Sequence, residues 1–327
     1  MRVRETDAIR SEWLQELFLN SRKKKLEALE KSASKSPTSL ENLRKQLTKA
    51  IQDQDTRFIV QVLDSINKEI FVDLENLSRS QVTELEDREW RGLFYKLLDE
   101  HRHPPPEMVN KIAGLFNNLT FASMEYSAWL RDGFVMDWTT AILSRDRIED
   151  VRVFDKLIAL WANLISKNVE ARRSFFKHPL FEIIYKRSSD PELPQTSVIP
   201  LGWLYFNCLD GEKQYPEFEL ATTIVQRLCG YFCMELESLD QSKSTKAHLE
   251  AAWGIVYYLE GGSPLIERIE VVVNSGIIPK IMQQLLSGTL SSKYTYPLLI
   301  ILEKLSSGTP EQTMAIFGKE HVVRVAD

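Results

Sequence analysis

The chain has 327 residues, of which 43% are hydrophobic and 27% charged, with only 13 glycines and 13 prolines. Such a composition can bury a large core, excludes disorder over most of the length and favours helix over sheet, so an all-α fold is expected. A net charge of −5 argues against a nucleic-acid binder that works by broad phosphate neutralisation.

No apolar run reaches the ~18 residues of a membrane span, and the opening residues lack the apolar stretch of a secretory signal. Cys208, Cys229 and Cys233 form neither a disulfide framework nor a metal-ligand set, and Cys229 and Cys233 read as small buried hydrophobes. The expected setting is reducing and intracellular, in cytosol or nucleus.

In chain order, residues 5–31 are predicted to form an amphipathic helix. Trp13, Leu14, Leu17, Phe18, Leu26 and Leu29 recur at helical spacing, and Arg22, Lys23, Lys24 and Lys25 lie between them. Residues 1–35 hold nine basic against six acidic side chains, net +3, which leaves −8 for the rest. Head and body therefore differ in sign. Residues 32–39, small, polar and broken by Pro37, read as a linker, and a body of residues 40–327 follows. Within it Trp90, Trp129 and Trp138, set among apolar neighbours, read as core.

The body repeats itself. LFNNLTFAS at 115–123, WANLISKNV at 161–169, LYFNCLDGE at 204–212, GIVYYLEGG at 254–262 and LEKLSSGTP at 302–310 align. One slot then holds Asn118, Asn163, Asn207, Tyr257 and Lys304, at intervals of 45, 44, 50 and 47 residues. Such a period with helical content is the signature of a stacked α-solenoid of about six units. A second motif runs in phase: residues 132–136 and 274–279 each place a glycine-containing loop before an apolar helix. Leu119, Leu164, Leu209 and Leu305 suffice to seat neighbouring units. Asparagine is a poor helix former, so three in phase imply a shared task, either ligand contact or hydrogen bonding between units.

The strings Ala252-Trp253-Gly254-Ile255-Val256-Tyr257-Tyr258-Leu259, Val272-Val273-Asn274-Ser275-Gly276-Ile277-Ile278-Pro279-Lys280 and Ser307-Gly308-Thr309-Pro310-Glu311-Gln312-Thr313 resemble two consecutive armadillo repeats of the importin alpha family of nuclear import adaptors. The basic head resembles that family's importin-beta-binding segment. The resemblance implies a right-handed solenoid of armadillo repeats preceded by a separate basic helix, and a protein that shuttles between cytoplasm and nucleus. Its concave groove would bind basic nuclear localisation signals of cargo through Asn118, Asn163, Asn207, Trp203, Trp253 and Tyr257. Importin beta would bind Arg22, Lys23, Lys24 and Lys25.

In that family lysine stems lie between indole faces while asparagines hydrogen-bond the peptide backbone. Trp203 with Asn207, and Trp253 with Tyr257, stand four apart and share a helix face. The pattern departs at Gly114 and Ala159, where indoles are implied, and at Lys167, where an aspartate is implied. These departures support an alternative: an armadillo scaffold that has lost localisation-signal recognition and binds another protein. Ending at Asp327, the chain is expected to hold fewer repeats than the full family array, as a short divergent member or an incomplete chain. No phosphate loop, zinc motif or nucleophile elbow occurs, so neither an enzyme nor a cofactor is expected.

Overall fold

The computed structural model describes residues 40–72, 88–101, 104–122, 129–130, 134–145, 150–210, 216–236, 241–287 and 291–317. The head helix with Arg22, Lys23, Lys24 and Lys25, and the linker at 32–39, lie outside the described residues. Among those described, the regular structure is fifteen α-helices and one 3-10 turn, with no strand. No described helix is long and apolar enough to cross a membrane. The fold is all-α, as composition predicted.

Two compact units divide the chain, one of residues 1–160 and 174–184, the other of residues 161–173 and 185–327. The first contains α1 (Leu40–Gln52), α2 (Thr56–Val72), α3 (Arg88–Glu100), α4 (Pro106–Ala122) and α5 (Phe134–Leu143), followed by the start of α6 (Val151–Lys167), part of α7 (Val169–Lys177) and most of α8 (Pro179–Arg187). In α1, Leu40, Leu43, Leu47, Ala50 and Ile51 return every three or four residues, and this stripe is buried. It packs on α2 and α3, while α2 packs on α4 and α3 on α5. The turn after α1 places Gln54 at φ 52°. Asp55 then caps α2 by accepting the Phe58 N–H at 3.0 Å. Phe94 and Phe116 meet edge to face at 5.7 Å, and Trp129 lies 5.9 Å from Phe116. Trp90, Trp129 and Trp138 are 1, 6 and 5% exposed, the core positions their neighbours predicted.

The second unit holds the end of α6, then α9 (Val198–Leu209), α10 (Phe218–Cys233), α11 (Gln241–Glu260), α12 (Leu265–Asn274), α13 (Ile277–Leu286), α14 (Ser292–Leu305) and α15 (Pro310–Phe317). Nine residues of α9 are buried, so this helix is apolar nearly all round, as a helix covered on several sides must be. It packs on α10 and α11; α11 packs in turn on α10 and α14, and α10 touches α12 and α13. Close approach depends on Gly254 in α11. A Cβ there would collide with Leu228 Cδ1 of α10 and stand 3.5 Å from Phe206 Cα of α9.

The predicted loop before an apolar helix is present at α13, where Gly276 takes the left-handed φ of 77° and Ile277, Ile278 and Ile281 are buried behind it. At the other copy α5 begins at Phe134, while residues 131–133 lie outside the described set. Helix α15 starts with Pro310 and a reciprocal cap: Gln312 Oε1 accepts the Thr309 N–H at 2.9 Å and Thr309 Oγ1 accepts the Gln312 N–H at 3.3 Å.

Candidate peptide-binding surface

The slot residues fall on the helices that the repeat predicts, and their side chains reach toward the preceding unit of sequence. In the first unit Asn118 of α4 donates to Asn67 Oδ1 of α2 at 3.0 Å, and Asn67 donates back to the Lys111 carbonyl at 3.3 Å. Asn67 was not singled out by sequence, although it continues the series by standing 51 residues before Asn118. Beside it burial works against ionisation of Asp64, yet hydrogen bonds from Lys111 and Lys68 outweigh it and hold the carboxyl below its ordinary range. At Gly114, where the resemblance implies an indole, a Cβ would stand 3.7 Å from Lys156 Nζ. That ammonium donates to the Asn110 carbonyl at 3.3 Å.

The second unit brings the other five candidates together. Trp203 Nε1 of α9 donates to Asn163 Oδ1 of α6 at 3.3 Å. One turn later Asn207 Nδ2 donates to the Ala162 carbonyl at 3.1 Å. The four-residue spacing thus does place Trp203 and Asn207 on one face, and that face is turned to α6. From Trp203 a run of aromatic contacts crosses the helices: Phe206 at 5.7 Å, Tyr257 5.5 Å from Phe206, Trp253 6.5 Å from Tyr257 and Tyr296 of α14 6.2 Å from Trp253.

Exposure separates the candidates. Asn118, Asn207 and Trp253 are 8, 2 and 1% exposed. Asn163, Trp203, Tyr257 and Tyr296 are half-buried and present part of their surface outward. Of the two tasks considered for the asparagines, Asn118 and Asn207 perform hydrogen bonding between helices. Trp253 fills the core between α11 and α14 and offers no ring face outside it. Lys167 ends α6, and its side chain lies outside the described set. Lys304, the last slot residue, pairs with Glu260 of α11 at 3.6 Å.

Two arginines missed by sequence reading stabilise helix ends next to this surface. Arg172, 4% exposed, donates to the Ile165 carbonyl at 3.2 Å and to the carbonyl of Asp210, the C-cap residue of α9, whose own N–H donates to Phe206. Arg268, 2% exposed, donates to the Tyr258 carbonyl at 3.3 Å and lies 4.8 Å over the Tyr258 ring. Both supply positive charge where the last carbonyls of a helix accumulate negative potential. The available signal was an arginine nine residues after Asn163 and eleven after Tyr257.

Burial pushes the Cys229 thiol up to about 12, which keeps it protonated and inert. Glu250 of α11, 1% exposed, is pushed by burial up to about 7 despite Lys246 at 3.6 Å. Among the described residues no group of histidine, cysteine and carboxylate side chains could hold a metal ion.

No family model matches the chain, and no curated protein matches it. Solved structures do. A crystal structure of an engineered protein from the Northeast Structural Genomics Consortium is similar over 81% of this chain and 99% of its own, with a TM-score of 0.61 at 19% identity. A second engineered protein covers 81% of this chain and 97% of its own at 18% identity, TM-score 0.60. A third covers 92% and 79% at 15% identity, TM-score 0.54. At such identities the likeness is one of fold. The chain is an all-helical protein whose architecture is shared with those engineered structures.

Proposed function

We propose that the chain is a protein-binding adaptor of the armadillo type, similar to importin alpha, whose row of helices α6, α9, α11 and α14 takes up an extended, lysine-bearing segment of a partner. The supporting observation is the placement of half-buried Trp203, Tyr257 and Tyr296 on α9, α11 and α14, with Asn163 of α6 at the edge of the run. An ammonium over each ring face contributes ~0.5–2 kcal/mol, so several weak contacts in a row give useful affinity. Asn163 and the carboxylates of an acidic body add hydrogen bonding and long-range attraction. In this reading the cargo carries a nuclear localisation signal, Arg22, Lys23, Lys24 and Lys25 engage importin beta, and the protein shuttles between cytoplasm and nucleus.

A second reading keeps the armadillo fold and gives up signal recognition, leaving a scaffold for another protein. The burial of Trp253 and Asn207, at 1 and 2% exposure, favours it. Fluorescence anisotropy of a labelled basic localisation peptide and of its lysine-to-alanine version decides between them. In the adaptor reading the first binds at least tenfold more tightly. Trp203→Ala then weakens it, and Lys167→Asp, which exchanges repulsion for attraction, strengthens it about ten- to a hundredfold. Equal binding of both peptides, with neither substitution having an effect, leaves the scaffold reading alone.

A further inference from the structure

The segment 188–197, which joins α8 to α9 in the second unit, contains no α-helix, and four hydroxyl side chains lie along it. Ser188 and Ser197 are 8 and 0% exposed. Ser188 is also engaged, donating to the Tyr185 carbonyl at 2.7 Å and accepting from the Tyr205 hydroxyl at 2.9 Å. Ser189 and Thr196 are exposed. Of these two, Ser189 is the one that meets a cation among the described residues: Arg227 Nη2 of α10 donates to its Oγ.

Arg227 is held for this contact. It lies 4.8 Å over the Tyr185 ring, which fixes the plane of the guanidinium. It has no carboxylate partner among the described residues. Asp190 lines the same cleft of about 570 Å³ as Ser189 and Arg227, but its Oδ1 accepts the Glu192 N–H at 2.9 Å and makes no ion pair with the arginine. The hydroxyl of Ser189 thus stands on an accessible loop, beside an open cleft and against a positive charge that lacks an anion.

We infer that Ser189 is a phosphorylation site whose phosphate is clasped by Arg227, fastening the segment 188–197 to α10. The chain around it reads Lys186-Arg187-Ser188-Ser189-Asp190-Pro191-Glu192, with carboxylates one and three residues after the acceptor. That pattern is complementary to a serine kinase with a basic substrate cleft. An O–P bond forms between Ser189 Oγ and the γ-phosphorus of a nucleoside triphosphate, and the bond from that phosphorus to its bridging oxygen breaks. The hydroxyl proton passes to the kinase's base and the nucleoside diphosphate leaves.

The end of a helix disfavours an anion, and Asp190 adds a like charge. Lys186 and Arg187 in the last turn of α8 oppose both effects. The decisive contact is with Arg227, since guanidinium and phosphate make charge-assisted hydrogen bonds, about twice as strong as neutral ones. The inference is independent of the peptide-binding reading, because none of its residues belongs to the aromatic run.

The test treats the full chain with an acid-directed serine kinase and magnesium ATP, maps the product by mass spectrometry and titrates the phosphate by phosphorus NMR. Phosphate is expected on Ser189, absent in Ser189→Ala and at least threefold slower to enter Glu192→Gln. The second pKa of phosphoserine, ordinarily ~6, should fall, and Arg227→Gln should raise it by about half a unit or more, because the dianion loses its cation. Amide exchange across 188–197 should slow at least threefold on phosphorylation of the parent. Should Arg227→Gln fail to fold by circular dichroism, a shift of the Arg227 side-chain Nε–H resonance on phosphorylation of the parent carries the test. The proposal is overturned if the phosphate maps elsewhere, if Glu192→Gln is labelled at the parent's rate, or if the phosphate pKa is equal in parent and Arg227→Gln with an unmoved Arg227 resonance.

Discussion

Asn207 donates its side-chain N–H to the carbonyl of Ala162, 3.1 Å away and 45 residues earlier, at a site where only 2% of the asparagine is exposed. The bond joins α9 to α6 one sequence period apart. Asparagine at this slot therefore fastens one helix to the next, and any peptide must be held by what remains outside.

Asn207→Ala removes a buried donor and leaves the Ala162 carbonyl without it. The expected loss is about 1 kcal/mol, since the Ala162 carbonyl, inside Val151–Lys167, still accepts its own helical hydrogen bond. Urea unfolding reads this as a lower midpoint with unchanged slope. A variant as stable as the parent, but weaker in peptide binding, would return Asn207 to the ligand.

Glu250 makes stability depend on pH in an unusual direction. Its folded value of about 7 lies above the ordinary 4.5, because burial penalises the charged form. The folded state then holds more protons than the unfolded one between these values. The stabilising contribution is fully present below about pH 4.5 and is lost as pH rises through about 7. Glu250→Gln, which stays neutral, should raise the melting temperature at pH 8 and flatten this contribution between pH 5 and 8. Parallel melting curves for parent and variant across that range would contradict the assignment.

Gly254→Ala sets helix propensity against space. Alanine gains about 1 kcal/mol in a helix interior, but its methyl would overlap Leu228 Cδ1 where α11 meets α10, and overpacking costs about 1–3 kcal/mol. A net loss near 1 kcal/mol is expected in chemical unfolding. A stabilised variant would mean that Leu228 moves aside freely.

Arg268→Met keeps length and apolar body but removes the donor to the Tyr258 carbonyl and the charge over the Tyr258 and Phe218 rings, 4.8 and 5.4 Å away. A loss of about 2–3 kcal/mol follows from a charged hydrogen bond and a desolvated cation–π contact. The last turn of α11 should lose protection first. Faster amide exchange at Gly261, whose N–H is bound to the Tyr258 carbonyl at 3.3 Å, is the readout.

Much of this was legible in the amino acids. The 44–50 residue spacing of Asn118, Asn163, Asn207, Tyr257 and Lys304 reappears as hydrogen bonds between residues 51, 40 and 45 apart. Helical content and the buried tryptophans followed from composition and apolar spacing. Exposure did not follow, because it depends on how closely the next helix comes. Trp253 is enclosed because Gly254 lets α11 approach α9 and α10, while Tyr296 packs against its ring from α14. Arg172 and Arg268 were missed because a lone arginine in an amphipathic helix reads as solvated.

The cross-links Asn118 to Asn67 and Asn207 to Ala162 each close a chain loop of one period, and loop-closure entropy grows only logarithmically with length. Each new helix therefore finds its partner among residues made shortly before it. During synthesis from the N-terminus, the Ala162 carbonyl meets its donor once residue 207 has left the ribosome, without waiting for Trp253 or Tyr257. Structure can accordingly accumulate behind the growing end, and the α9 face that later receives α11 is an apolar surface left open in the interval.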